Sequence, residues 1–207
     1  MYIPKKFLIE EATEIKNFLH NNTFGAFISH VDERITACHI PWHLVETEAG
    51  EWLMQAHVAR ANPQWKALEA SPAVMLMFQG AHTYVTSSWY SVESAPTWNY
   101  QAVHLYGQAR IVSEAELEQM LACLMENYES KMPQPLRYED ISEKTRTSFL
   151  QAIVGIEVNI TEVQAKYKLS QNRNALDFQH IIDQLEKMPD PQAHGVAHEM
   201  KKIKNKN

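Results

Sequence analysis

Cysteine is scarce. Cys38 and Cys123 are the only two in 207 residues, too few for a disulfide scaffold or a four-thiolate zinc site. Glycine and proline number six and nine, which excludes collagen and low-complexity disorder. No apolar run approaches the roughly 18 residues of a membrane span. The opening Met1-Tyr2-Ile3-Pro4-Lys5-Lys6 lacks the apolar core of a signal peptide. The expectation is a reduced, cytoplasmic chain without a membrane segment. Positive charge is also short. Nineteen Lys and Arg against 25 Asp and Glu leave a net charge of −6, so any nucleic-acid contact must be local or indirect. G-x-G-x-x-G, G-x-S-x-G and H-E-x-x-H are all missing. His39 and His43 would stand about 13 Å apart in an extended strand, too far to share a metal unless Pro41 bends the chain, and no metal site is expected. What is present is a 45% hydrophobic, 10% aromatic, 21% charged composition, enough to build a core for one large domain or two small ones.

The apolar spacing of Ala12, Ile15 and Leu19 predicts a helix within Ile9–His20. Strands are predicted over Phe24–His30, Ile35–Val45 and Glu51–His57, with Asp32-Glu33 as the first hairpin turn and Pro41 as an interruption. Asn62-Pro63 reads as an N-cap and first helical position, starting a helix that runs to Ala70. Ala73–Gln79 is a short buried strand, broken at Gly80 and resumed over Tyr84–Ser87. Trp98–Val112 is a long strand, with Gly107 as a candidate bend. Ser113-Glu114-Ala115-Glu116 is a capping box ahead of an amphipathic helix. A short helix over Ser142–Gln151, a strand over Val154–Val163 and a helix over Asn174–Lys187 follow. Residues 1–187 form the expected domain. Residues 188–207, ending in Lys201-Lys202-Ile203-Lys204-Asn205-Lys206-Asn207, read as a flexible polar and basic tail, dispensable for the fold. About six hairpin-connected strands with inserted helices indicate a mainly β (α+β) fold, a small antiparallel barrel or sheet.

Four stretches carry candidate chemistry. His57-Val58-Ala59-Arg60-Ala61-Asn62-Pro63-Gln64-Trp65-Lys66 joins a strand end to a helix start. It reads either as an anion site completed by Arg60 or as a capped helix with two solvated cations. Phe78–Tyr90 gathers rings, hydroxyls, Gln79 and His82 around Gly80, suited to a planar polar ligand or to internal packing. Period-two alternation puts Trp98, Tyr100, Ala102, His104 and Tyr106 on one strand face, a pocket or dimer surface, or else a core stripe. Lys166-Tyr167-Lys168-Leu169-Ser170-Gln171-Asn172-Arg173 follows the last strand, as a ligand-closing segment or a solvated loop.

Together these stretches, with Met1-Tyr2-Ile3-Pro4, Phe78-Gln79-Gly80-Ala81-His82, Pro96-Thr97-Trp98-Asn99-Tyr100, Ala152-Ile153-Val154-Gly155 and Lys168-Leu169-Ser170-Gln171-Asn172-Arg173, resemble the PaiB family of FMN-binding split-barrel proteins, negative transcriptional regulators. The resemblance spans residues 1 to about 185. It implies a six-stranded antiparallel split β-barrel with peripheral helices, and a homodimer with FMN at its interface. His57, Arg60, Asn62 and Lys66 would hold the FMN phosphate. Gln79, His82, Trp98, Asn99 and Tyr100 would approach the flavin from the partner subunit, and Lys168, Ser170 and Gln171 would close the site. Lys168 and His82 are the candidates for stabilising reduced flavin. The family's regulatory role implies a DNA contact, direct or indirect. The alternative is a small FMN-dependent oxidoreductase acting on haem or another redox substrate, where His104 would serve.

Overall fold

Trp42 cuts the second predicted strand in two. Its indole is buried, packs edge-on against Phe27 at 5.7 Å, and its amide donates to the Thr23 carbonyl. The computed structural model describes residues 1–32 and 34–204. Its strands are β1 (Leu8–Ile9), β2 (Phe24–Val31), β3 (Arg34–Pro41), β4 (His43–Glu46), β5 (Trp52–Ala59), β6 (Ala73–Val85), β7 (Thr97–Ile111) and β8 (Ile153–Lys168). They form one eight-stranded sheet in the order β3-β2-β6-β7-β8-β5-β4, with β1 added on β8. Eight strands therefore replace the expected six. The Trp42 break yields β3 and β4, and β1, only two residues long, is too short to register in a sequence pattern. The predicted Asp32-Glu33 turn is described only at Asp32, since Glu33 lies outside the described residues. The flanking strands pair antiparallel from Phe24↔Pro41 to Val31↔Arg34.

The helices are α1 (Ala12–Asn21), α2 (Glu114–Glu129), α3 (Glu143–Ala152), α4 (Ala175–Leu185) and α5 (Pro191–Lys204). Among the described residues none is long and apolar enough to cross a membrane. The chain resolves into two compact units: Met1–Asn22, Phe78–His104 and the chain from Gln164 onward make the first, Thr23–Met77 and Leu105–Val163 the second. Strands β6, β7 and β8 contribute residues to both.

In the first unit the Glu11 carboxylate caps α1, accepting from the amides of Thr13 and Glu14. The expected interruption of β6 at Gly80 does not occur, because Gly80 serves close approach rather than a turn. A Cβ there would stand 2.7 Å from the Phe18 ring and 3.0 Å from Gln101 Oε1, so glycine lets α1 sit directly on the strand. The largest departure is at the C-terminus. Where a flexible polar tail is expected, Pro191–Lys204 is helical and buries Ala193, Val196, Ala197 and Met200. These fall at i, i+3, i+4 and i+7, one face of a helix, and α5 packs on α4, which buries Phe178, Ile181, Ile182 and Leu185. Alanines made the stripe weakly hydrophobic, which is why it read as polar. The lysines Lys201 and Lys202 pair with Glu186 and Glu199. Asn205, Lys206 and Asn207 lie outside the described residues.

In the second unit Ser113 and Glu116 form the predicted capping box at the start of α2, and Val112, Leu117, Met120 and Leu150 pack beneath it. Arg110 bridges Glu116 and Glu157 at 2.7 and 2.6 Å. β7 runs straight through Gly107, where a Cβ would meet the Asn159 carbonyl at 2.3 Å.

Candidate functional site

The candidate residues divide between the units. His57, Arg60, Asn62 and Lys66 belong to the second, and Gln79, His82, Trp98, Asn99, Tyr100, Lys168, Ser170 and Gln171 to the first.

In the second unit the predicted helix after Asn62 is a five-residue 3-10 segment, Pro63–Ala67, not a helix to Ala70. Asn62 caps it as expected, its Oδ1 accepting from Gln64 N at 3.0 Å. So short a segment lacks the aligned peptides that give a long helix its anion-binding end. Arg60 is committed elsewhere. Its Nε donates to the Gln151 carbonyl at 2.7 Å and its Nη2 to the Ile153 carbonyl at 2.8 Å, while its amide donates to Ala152. The guanidinium thus satisfies carbonyls at the end of α3 that would otherwise lack donors. Lys66 is exposed, its ammonium 5.8 Å from the Trp65 ring. His57 is half-buried opposite Gly155, and burial pushes its imidazole pKa down, favouring the neutral ring. The sequence reading missed Gln64, which is buried and donates to Ser29 Oγ at 3.1 Å, fixing the turn to β2.

In the first unit β6, β7 and β8 are neighbours, and alternation gives their sheet two unlike faces. Asn99, Gln101, Tyr167 and Leu169 lie on the covered side. Asn99 is buried, donating to Met200 Sδ at 3.6 Å and accepting from Ser170 Oγ at 3.0 Å, while Tyr167 packs against Phe18 at 5.7 Å. Gln171 ties its own turn, accepting from Leu169 N and donating to the Tyr167 carbonyl. Ser170, at φ +60°, closes that turn in the left-handed region. Asn99, Ser170 and Gln171 are therefore engaged in building the fold.

The other side of the sheet holds His82, Tyr84, Trp98, Tyr100, Lys166 and Lys168. Trp98 and Tyr84 are 54% and 46% exposed. His82 stacks on Trp98 at 6.5 Å and Tyr84 meets it edge-on at 6.1 Å. His82 Nδ1 lies 3.1 Å from the Gly80 carbonyl, and its amide donates to Gln192 of α5. The Lys166 ammonium is buried between rings, 5.2 Å from Tyr100 and 6.0 Å from Tyr2, and donates to the Tyr2 carbonyl. Lys168 donates to Thr97 Oγ1. Burial first, then the like charges of Lys166 and Arg173, pull the Lys168 pKa down. Gln79 is exposed on β6. His104, on the same β7 face, keeps a buried Nδ1 without a partner. Lys166, quoted in the fourth stretch, was given no role of its own because the strand is expected to end at Val163. Carried through to Lys168, alternation puts both lysines on one face. The alternating Trp98–Tyr106 stripe expected on β7 is present, and it is the less buried side of the strand.

Residues 1–162 match the family described as "Putative FMN-binding domain". Over 197 residues, 95% of each chain, the sequence is 41% identical to "Protease synthase and sporulation protein PAI 2" of Bacillus subtilis (strain 168). Two solved structures share the fold. The flavocytochrome Anf3 from Azotobacter vinelandii superposes with a TM-score of 0.63 at 15% identity, over 86% of this chain and 78% of that one. The FAD and heme binding protein from Mycobacterium smegmatis does so at 0.59 and 16%, over 76% and 71%. An antiparallel sheet with peripheral helices, a split-barrel architecture and this match over most of its length show that the chain belongs to the PaiB family of FMN-binding domains.

Proposed function

We propose that this chain is a flavin-responsive, PaiB-type negative transcriptional regulator, a cytoplasmic homodimer that holds FMN at the subunit interface. The observation that carries the reading is the open face of the first unit. FMN pairs a planar ring system with an anionic phosphate and a polar pyrimidine edge. Trp98 and Tyr100 offer rings to stack on. Lys168 and Lys166 crowd one another, and an anionic group brought to them relieves that repulsion. The residues present thus fit the group. When bound, FMN supplies hydride and electron transfer. The chain's own task is to seat the ring and to hold a proton on Lys168 Nζ near its polar edge, which favours the reduced, anionic form. His82 sits beside Trp98 to orient that ring. In the second unit, taken by itself, Asn62 and Lys66 remain candidates for a phosphate contact, and Arg60, whose fork is engaged with α3, does not. Half-exposed Trp98 and Tyr84 also supply the aromatic surface that dimer interfaces favour. The regulatory part of the reading rests on the printed name of the Bacillus relative, which concerns protease synthesis and sporulation. DNA is reached indirectly or through a local patch, since Lys201 and Lys202 are offset by acids.

A second reading has its own observation. The partnerless Nδ1 of His104 suits a ligand to a redox group, and the two structural neighbours are a flavocytochrome and an FAD and heme binding protein. That reading is an FMN-dependent oxidoreductase. Purified protein carrying FMN, with a mobility shift on promoter DNA that changes between oxidised and reduced flavin, supports the regulator. Rapid anaerobic reduction by a nicotinamide donor without any DNA shift favours the oxidoreductase. A chain that takes up no flavin overturns both.

A further inference from the structure

The turn after β8 and the helices α4 and α5 line a partly open cavity. It measures about 220 Å³ and is lined by Gln171, Arg173, Ala175, Phe178, Ile203 and Lys204. Three of these are apolar and three polar, two of them cations. Arg173 is held in place: its guanidinium lies 3.9 Å from the centre of the Tyr90 ring, and its Nη1 donates to Ser94 Oγ at 2.9 Å. Lys204 donates to Gln179 Oε1 at 2.6 Å. Both partners are neutral. Among the described residues neither cation forms an ion pair. Asp177, in the first turn of α4, is buried with one oxygen accepting from Ser91 N and the other from Asn174 Nδ2.

We propose that this cavity binds a small monocarboxylate with an apolar body, an aromatic or medium-chain acid. A carboxylate between Arg173 and Lys204 gains charge-assisted hydrogen bonds that their neutral partners do not supply. Ala175, Phe178 and Ile203 take the apolar body out of water. At about 30 Å³ per water the volume equals about seven waters, room for a benzoate- or octanoate-sized acid. It falls below the ~300–1,000 Å³ of drug-sized ligand pockets, so FMN does not fit. Gln171 also ties the turn that follows Lys168, so an occupant touches the segment leading to the flavin face. The inference does not depend on the regulator reading.

The test is ligand-observed NMR and thermal-shift titration of the full chain with benzoate and octanoate, against benzamide and inorganic phosphate as controls. Both acids should saturate, with benzamide and phosphate weaker by about tenfold or more. Ile203→Trp fills the cavity and Lys204→Met removes an exposed cation without touching the core; each should weaken benzoate by about fivefold or more. Should Ile203→Trp fail to fold, Lys204→Met carries the comparison alone. Absence of saturable binding by both acids, equal binding of benzamide, or benzoate affinity unchanged in Lys204→Met would each overturn the proposal.

Discussion

Two basic clusters of similar composition sit in opposite electrostatic states. In the second unit Arg60 spends its donors on the carbonyls of Gln151 and Ile153. In the first unit Lys168 has a hydroxyl for a partner, and burial first, then two other cations, press its pKa down. Arg60 supports a helix end, whereas Lys168 has positive charge that a ligand can use. Residue type and spacing made Arg60 look like the anion-binding residue. What separates the two is which groups the fold has already supplied, and a cation gains from a ligand only what its neighbours have left unsatisfied.

The largest test of this contrast removes the support behind the lysine face. Deleting the chain from Pro189 takes away Met200, Val196 and the Gln192 contact to His82, and bares the buried side of α4. Burial of a single large apolar side chain is worth roughly 1.5–3 kcal/mol, and several are lost at once. The expected outcome is loss of the cooperative thermal transition in circular dichroism. A truncated chain that melts like the full one would restore the dispensable-tail reading.

Next comes Lys168→Met, expected to weaken FMN by about tenfold, or about 1.4 kcal/mol, in fluorescence titration. The pH dependence sharpens it. Because the folded pKa of Lys168 is lowered, the folded protein loses this proton before an ordinary lysine at 10.5 does. FMN affinity should therefore fall as pH rises through the region below 10.5, and Lys168→Met should flatten that slope. In the ligand-free chain the sign for stability is the reverse: the unfolded chain holds more protons there, so the Lys168 contribution rises with pH across the same window. A pH slope unchanged by the substitution would remove Lys168 from the site.

A smaller effect is expected for Arg60→Ala. Its side chain is exposed, so the loss should sit near the low end of the ~1.5–3 kcal/mol typical of charged hydrogen bonds, seen in urea unfolding. Affinities for FMN and riboflavin should change in equal proportion. A loss of about tenfold confined to FMN would move Arg60 to the phosphate and dissolve the contrast.

The smallest effect belongs to Glu116. Arg110 first, then Ser113, holds its carboxyl down at about 2. The stability it adds is complete above the usual carboxylate range and is lost as pH falls through about 2. Glu116→Gln should lower the melting temperature slightly near neutral pH, and the difference from wild type should close as pH falls from about 4.5 to about 2. An unaltered acid profile would show that the Arg110 pair is inert.

The strands, the capping box at Ser113 and the β7 alternation were readable because they depend on local pattern. The end of β3 at Pro41 was expected from that proline, whereas the burial of Trp42, the continuity of β6 at Gly80 and the donors taken up by Arg60 were not legible, for a common reason. Each is decided by a tertiary partner: Phe27 behind Trp42, Phe18 over Gly80, the end of α3 beside Arg60. The α5 stripe was present in the sequence at helical spacing, but Ala193 and Ala197 weigh little on a hydrophobic scale. The shared face of Lys166 and Lys168 was hidden by a strand boundary placed five residues too early.

A crystal structure of the chain grown with FMN addresses the central claim directly. The isoalloxazine ring should lie against Trp98 or Tyr100, with Lys168 Nζ in hydrogen-bonding distance of its polar edge. A ring seated away from that face, with Lys166 and Lys168 untouched, would contradict the account.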